Sequence, residues 1–266
     1  SGDVAPEKPE TEFVLDAFNP FSVWRRARAL AGEGCDLAII NWWTLFWAPA
    51  FLLLRLLLQR RGVEVVFLCH NLSDHDAGKW RNWLAFRFLA GADAYLVHSR
   101  AQQQQLLRLF PAKKILMHPH PAYRRFPDPT GIPVKRGRLE LLFFGFIRPY
   151  KGLEVLLAAL GEMQDREIFL SVAGEPWCTP EELERKTRVA RVPNVEFHLG
   201  YIDKPKVAEL FQRADLVVLP YLSASGSGVA ALAQRYNRPI LASSVGGLCE
   251  VVEEGRNGFL VERASP

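Results

Sequence analysis

Two cations stand where an apolar segment gives way to a helical pattern. Leu141–Phe144 is a short apolar run of buried-strand type, Gly145 interrupts it, and leucines recur at helical spacing from Leu153. Arg148 and Lys151 lie between the two. A turn that places an Arg and a Lys beside the unpaired N–H groups and the positive dipole end of a helix can bind phosphate. The alternative is a surface loop with two solvated charges.

A second candidate turn, SASGSG, occurs farther along the chain at 223–228. It follows the strand-like run Leu216–Pro220, and a helical pattern begins near Val229. Another glycine pair, at 246–247, follows the strand-like run Ile240–Ala242. Because backbone can approach a ligand closely only where side chains are small, these turns are further candidates for ligand contact.

Together these segments resemble the retaining GT-B glycosyltransferases of glycosyltransferase family 4. The stronger part of the resemblance covers roughly Leu141–Val261, and the N-terminal half matches more loosely. The segments that carry it are FGFIRPYKG, VAGEP, NVEFHLGYIDKPKVAELFQRADLVVLPY, SGSGV and PILASSVGGLCEVVEEGRNGFLV, and then, more loosely, DLAIINWW, VVFLCHNL and ADAYLVHS.

The resemblance implies transfer of a sugar from a nucleotide-diphosphate sugar to a glycan or lipid-linked acceptor, with retention of the anomeric configuration. It implies no cofactor beyond that donor substrate and no metal, because Arg148 and Lys151 would act on the diphosphate from one side and a second helix N-terminus from the other. The donor-binding set that it implies is Gly145, Ser227, Gly228 and Val229 at the two turns, Gly174, Gly200, Tyr201 and Ile202 along the nucleoside, and Asn71 and Glu250.

His70 is a third candidate for the chemistry. It follows the strand-like run Glu64–Cys69, and ligands of open α/β sheets bind beyond the carboxyl ends of strands. In the family, a His at the matching strand end faces the donor sugar. The alternative is that His70 caps the following loop beside Asp74 and His75.

The chain departs from the family at two acidic positions. Members commonly carry two glutamates around the SASGSG turn, where this chain has Ala224 and Leu232. A first strand expected before residue 1 and closing helices expected after Val261 are also missing, which suggests truncation at both ends. Two alternatives therefore stay open: a non-catalytic nucleotide-sugar-binding remnant, and a GT-B nucleotide-sugar epimerase.

Strands and helices alternate along the chain, which predicts an α/β protein with two doubly wound parallel-sheet, Rossmann-like domains facing a cleft, as in the GT-B type. Prolines and glycines concentrate in 118–138 and indicate a domain boundary. We expect an acceptor-side domain over 1–125, a linker over 126–138 and a nucleotide-sugar-binding domain over 139–266. Asn41–Leu58 is interpreted as a core helix, rather than a membrane span, because Pro49 and Arg55 interrupt it.

Charge differs between the halves. Residues 1–138 hold 19 Lys and Arg against 12 Asp and Glu, whereas 139–266 hold 14 against 17. With Trp42, Trp43 and Trp47, the basic half indicates an acceptor side in peripheral contact with an anionic membrane, on the cytoplasmic face. The sequence contains no basic stripe interleaved with aromatic residues, so nucleic acid is not expected as a partner.

The cysteines and histidines give weaker signals. The four cysteines are scattered and make no CxxC motif, which favours buried single thiols in a reducing compartment. His118 and His120 could be read as a metal pair, but no third ligand follows at a suitable spacing, so no metal site is expected.

Overall fold

A computed structural model gives the fold. It describes residues 15–16, 18–72, 79–121, 123, 126–131, 134–163 and 165–263, so Asp74 and His75 lie outside the described residues. The chain divides into two compact units. The first comprises Ser1–Leu96 with Ala112–Lys114, and the second comprises Val97–Pro111 with Ile115–Pro266. The linker predicted at 126–138 stays a prediction.

The first sheet has four strands in the order β1-β2-β3-β4. β1 and β2 pair in parallel, with Leu37 opposite Glu64. The elements along this part of the chain are α1 (Pro20–Gly32), β1 (Leu37–Trp42), a 3-10 turn (Leu45–Trp47), α2 (Ala48–Gln59), β2 (Glu64–Cys69), α3 (Lys79–Leu89), β3 (Ala94–Val97), α4 (Arg100–Leu109) and β4 (Lys114–Met117).

The single helix expected over Asn41–Leu58 is wrong at its beginning. Asn41 and Trp42 continue β1, because their backbone pairs with Leu68 and Cys69 of β2. Thr44 then accepts a hydrogen bond from the Phe46 N–H and starts the 3-10 turn, and α2 begins only at Ala48. Among the described residues, no helix is long and apolar enough to cross a membrane.

The second sheet has six strands in the order β10-β9-β8-β5-β6-β7, and its neighbouring strands all pair in parallel. Its elements are β5 (Leu139–Phe144), a 3-10 turn (Pro149–Lys151), α5 (Leu153–Met163), β6 (Ile168–Gly174), α6 (Pro180–Ala190), β7 (Val195–Leu199), α7 (Lys204–Arg213), β8 (Leu216–Leu219), α8 (Gly228–Arg235), β9 (Ile240–Ser243), α9 (Leu248–Val251) and β10 (Gly258–Val261). β10 is a strand that the sequence analysis did not predict.

Both faces of the second sheet are buried. Successive residues of a strand point to opposite faces, and β5 shows this, since Leu142 packs in one apolar cluster and Leu141 and Phe143 pack in another. A parallel sheet covered on both faces needs helices on each side. The predicted fold class is confirmed as two parallel-sheet, Rossmann-like α/β domains, one with four strands and one with six.

Candidate donor site

Three glycines mark the carboxyl ends of neighbouring strands in the second unit. Gly145 follows β5, Gly174 ends β6 and Gly200 follows β7. A β-carbon on Gly174 would lie 2.1 Å from the Gly145 carbonyl oxygen, so the two backbones meet where no side chain fits. The Gly200 N–H donates to the Gly174 carbonyl at 3.0 Å. The structure thus brings these predicted donor contacts to one edge of the sheet.

Lys151 is a buried cation at this edge. Lys151 is only 8% exposed and ends the 3-10 turn that precedes α5. Burial lowers the pKa of Lys151, Tyr150 opposes this, and the nearby positive charge of Arg148 lowers it further. Within the described residues we find no carboxylate that compensates this charge. Burying a cation without an acidic partner raises the free energy of the fold through lost hydration. The site therefore favours binding an anion.

The two candidate turns meet at Gly145. A β-carbon on Gly145 would lie 3.0 Å from Nζ of Lys151 and 3.3 Å from Cγ2 of Val229. Val229 lies in the first turn of α8, whose N-cap is Ser227. The Ser227 side chain accepts the Ala230 N–H at 3.2 Å, which leaves the N–H groups of Gly228 and Val229 at the positive end of the helix.

Arg148 is oriented by an aromatic ring. Its guanidinium carbon lies 3.7 Å from the ring centre of Trp177 and 5.6 Å from that of Phe146. The loops that carry the pair are joined, because the Trp177 N–H donates to the Ile147 carbonyl at 3.0 Å. Trp177 was not among the predicted site residues, although its position three residues after Gly174, at the carboxyl end of β6, was a usable signal.

Tyr221 is a second residue that the sequence did not single out. It is 3% exposed, and Nζ of Lys151 lies 5.3 Å from its ring centre. Burial raises the pKa of Tyr221 to about 12, and the neighbouring Ser227 side chain offsets part of this rise. Its hydroxyl makes no hydrogen bond of good geometry to any described atom. A buried phenol beside a buried ammonium adds a neutral hydrogen-bond donor to an anion site.

The remaining predicted residues of the second unit occupy different environments. Tyr201 is 82% exposed beyond β7, and Ile202 packs against the apolar cluster that contains Leu142. Glu250 accepts the N–H groups of Arg100 and Ala101, at 2.6 and 2.9 Å, and thereby caps α4. Its carboxylate is therefore engaged within the fold.

His70 and Asn71 belong to the first unit. The His70 ring stacks on Trp43 with 3.8 Å between centroids, and its Nε2 lies 3.1 Å from Oδ1 of Asn41. Asn71 follows directly and is half-buried. His70 thus has a defined orientation at the end of β2, set by two residues of the neighbouring strand end that the sequence analysis had placed in a helix.

The two positions without glutamate are both buried. Ala224 is 9% exposed and Leu232 is 5% exposed, and the Ala224 carbonyl accepts the Gly247 N–H at 3.2 Å. The 223–228 turn therefore packs on the 246–247 glycine pair. Among the described residues, no three His, Cys, Asp or Glu side chains are grouped so that they could hold a metal ion.

Both halves of the chain match known family models. Residues 4–121 match the model for Glycosyltransferase Family 4, and residues 138–266 match that for Glycosyl transferases group 1. The chain therefore carries two glycosyltransferase domains. The family 4 resemblance is confirmed to this extent.

Curated relatives of these glycosyltransferase domains are themselves named glycosyltransferases. A GDP-mannose:glycolipid 4-beta-D-mannosyltransferase of Xanthomonas campestris pv. campestris is 31% identical over an alignment 212 residues long, which covers 78% of this chain and 58% of that protein. A D-inositol 3-phosphate glycosyltransferase of Streptomyces scabiei is 30% identical over an alignment 238 residues long, which covers 78% of this chain and 53% of that one. The chain thus spans rather more than half the length of these relatives.

Solved structures share the fold of the glycosyltransferase domains. Sucrose-phosphate synthase from Thermosynechococcus elongatus aligns with a TM-score of 0.74 at 21% identity, covering 92% of this chain and 66% of that one. Anabaena Alr3699/HepE in complex with UDP-glucose aligns with a TM-score of 0.68 at 18% identity, covering 91% and 68%. At these identities the likeness concerns the fold alone.

Proposed function

We propose that this chain forms the donor site of a glycosyltransferase that moves a sugar from a nucleoside diphosphate sugar to an acceptor hydroxyl with retention. The observation that carries the proposal is the buried ammonium of Lys151. It faces Gly145 beside the N-terminus of α8 and has no acidic partner among the described residues. A diphosphate supplies the missing negative charge.

The chemistry requires stabilisation of a leaving group. When the bond between the anomeric carbon and the phosphate oxygen breaks, its electrons stay on the diphosphate. Fixed cations and N–H groups that already point at this charge lower the barrier. Lys151, Arg148 and the first N–H groups of α8 are such donors, with Ser227 assisting at the cap. In a retaining transfer the acceptor approaches from the side of the departing phosphate, whose oxygen then accepts the hydroxyl proton.

We propose that no divalent metal is needed for donor binding, since protein cations face the diphosphate. EDTA should leave the affinity for a nucleoside diphosphate unchanged. Isothermal titration with and without EDTA measures this. A large loss of affinity that manganese or magnesium restores would mean that the diphosphate binds elsewhere.

The acceptor is proposed to be lipid-linked and presented at an anionic membrane, with the protein peripheral on the cytoplasmic side. In the first unit, one exposed face of α1 carries Phe21, Trp24, Arg25 and Arg28. The Phe21 and Trp24 rings stack at 5.5 Å, and the Arg28 guanidinium lies 5.6 Å from the Trp24 ring centre. Exposed aromatics interleaved with arginines suit a lipid headgroup region. The glycolipid in the name of the Xanthomonas relative agrees with this acceptor class.

Nucleotide release tests the proposal. The protein is incubated with radiolabelled UDP-, GDP- and ADP-sugars in the presence of a bacterial lipid extract, and transfer of label to lipid is compared with nucleotide release. Transfer with stoichiometric release supports a glycosyltransferase. Tight donor binding without release would instead indicate a non-catalytic nucleotide-sugar-binding protein.

A further inference from the structure

Two stacked imidazoles border the 223–228 turn of the second unit. His98 follows β3 and His120 follows β4, and their ring centroids lie 4.0 Å apart at an interplanar angle of 19°. A β-carbon on Gly226 would lie 3.5 Å from both Cδ2 and Nε2 of His120. The ring edge that carries Nε2 therefore faces the turn two residues before α8 begins.

His98, which stacks on His120, is itself held by a hydrogen bond to the backbone. Its Nδ1 lies 3.0 Å from the His118 carbonyl oxygen, which makes Nδ1 the protonated nitrogen of the neutral ring. Burial lowers the pKa of His98, and the hydrogen bond to His118 opposes this only in part. Two stacked imidazoles resist carrying charge together, so the pair holds one positive charge more readily than two.

The other groups around the pair favour an anion. A β-carbon on Gly228 would lie 2.7 Å from the Tyr123 hydroxyl oxygen, which places a neutral donor at the start of α8. The Glu250 carboxylate is taken up by N–H groups of α4, which begins just after His98. His118 turns its own Nδ1 toward the Pro119 carbonyl. The turn itself carries no acidic side chain.

We propose that His120 is a ligand of the donor, and that its Nε2–H donates to a phosphate oxygen of a nucleoside diphosphate sugar bound at the 226–229 turn. This inference rests on the proposed function and deepens it. A protonated imidazole makes a charge-assisted hydrogen bond, and deprotonation weakens that bond. Donor affinity is therefore expected to fall as rising pH removes the proton from the imidazole.

The experiment measures binding of UDP-glucose and GDP-mannose between pH 6 and 8 by isothermal titration. In these probes each phosphate carries one ester bond and one anhydride bond and keeps a single negative charge over this range, unlike a terminal phosphate. With the unaltered chain we expect affinity for the probe that binds to fall by roughly tenfold from pH 6 to pH 8. His120→Gln keeps a neutral donor and should bind with a flat pH profile.

Three further variants, one of them a control, distinguish loss of the His120 contact from a folding defect. Gly226→Ala adds a methyl group at ordinary van der Waals distance from His120, so the fold should persist while donor affinity falls. His98→Phe retains the stacking without a titrating group and should keep the pH profile. His118→Gln removes an exposed imidazole whose Nδ1 lies 2.7 Å from the Pro119 carbonyl oxygen; it is the matched control and should bind as the unaltered chain does.

The outcomes are distinct. An unchanged pH profile in His120→Gln, or loss of the profile in His98→Phe, overturns the role of His120 even where both probes bind well. If neither probe, nor ADP-glucose, binds the unaltered chain at any pH, the proposed function itself fails. A flat profile in His120→Gln with a retained profile in His98→Phe and His118→Gln supports the inference.

Discussion

The guanidinium carbon of Arg148 lies 3.7 Å from the ring centre of Trp177, closer than any other cation and ring described in the structure. The planar guanidinium stacks on an indole, and Nε of Arg148 is buried without a hydrogen-bond partner among the described atoms. Stacking restricts the rotamers of a long side chain before any ligand arrives. Trp177 is therefore expected to position Arg148 for the diphosphate.

Replacing Arg148 should weaken diphosphate binding selectively. A charge-assisted hydrogen bond to phosphate contributes about 1.5–3 kcal/mol, so Arg148→Ala should reduce nucleoside diphosphate affinity by roughly ten- to a hundredfold. Arg148→Lys should also weaken it, since the bidentate fork and the stacking are lost. Trp177→Phe should bind better than Trp177→Ala. Affinity for the free nucleoside, measured by the same titration, should hardly change, and an equal loss for both ligands would show that the loop has no phosphate role.

Replacing Lys151 should weaken nucleoside diphosphate binding without lowering the stability of the fold. The buried ammonium destabilises the unliganded fold, so Lys151→Met, of similar length and without charge, should leave the melting temperature unchanged or raise it. Its nucleoside diphosphate affinity should fall by roughly ten- to a hundredfold. Lys204→Met, at an exposed position at the start of α7, is the control for removal of a lysine charge. A lower melting temperature in Lys151→Met alone would mean that this ammonium has a stabilising partner in the fold.

The α1 surface should bind acidic vesicles. At low salt each arginine near an anionic bilayer contributes about 1 kcal/mol, so the double change Arg25→Gln with Arg28→Gln should weaken binding roughly twentyfold or more. Flotation with phosphatidylglycerol vesicles measures this. The control is Arg60→Gln with Arg61→Gln, two exposed arginines after α2. Equal recovery with acidic and neutral vesicles would contradict a membrane role.

Glu196 should make the second domain sensitive to acid. Burial raises the pKa of this carboxyl, but Arg136, His198 and Arg213 outweigh burial and bring it to about 2, below its ordinary 4.5. The Arg213 Nη2 atom donates to Glu196 at 3.1 Å. Because the folded state binds the proton less readily, this stabilisation is complete above pH 4.5 and is lost as the pH falls toward 2.

Glu196→Gln should therefore lower the urea midpoint at pH 7 and lower it less at pH 3. Unfolding followed by circular dichroism at both pH values measures the difference. Glu162→Gln, at an exposed position in α5, should behave as the unaltered chain at both. If the urea midpoint of Glu196→Gln is lowered as much at pH 3 as at pH 7, the introduced amide disturbs packing. The carboxylate charge would then not be what stabilises the folded domain.

The strands and helices of the second domain were largely predictable, because apolar runs of strand length alternate with helical patterns and glycines separate them. β10 was missed since Gly258–Val261 is a short run after a charged loop, and it becomes a strand only by pairing with β9. The start of α2 was misplaced because an aromatic and apolar run fits a buried helix or a strand equally. Pairing with Glu64–Cys69 decided between them.

Some features of the candidate site were also predictable from the sequence, and others were not. By itself the sequence determined the glycine turns, Arg148, Lys151 and the N-cap Ser227, because turn residues, cations and helix starts are local features of the chain. Only the tertiary structure showed that Val229 and Lys151 meet over Gly145, that Trp177 stacks on Arg148, that Glu250 caps α4, and that His120 borders Gly226. These contacts join residues far apart in the chain, and strand order and packing set their distances, which no local pattern encodes.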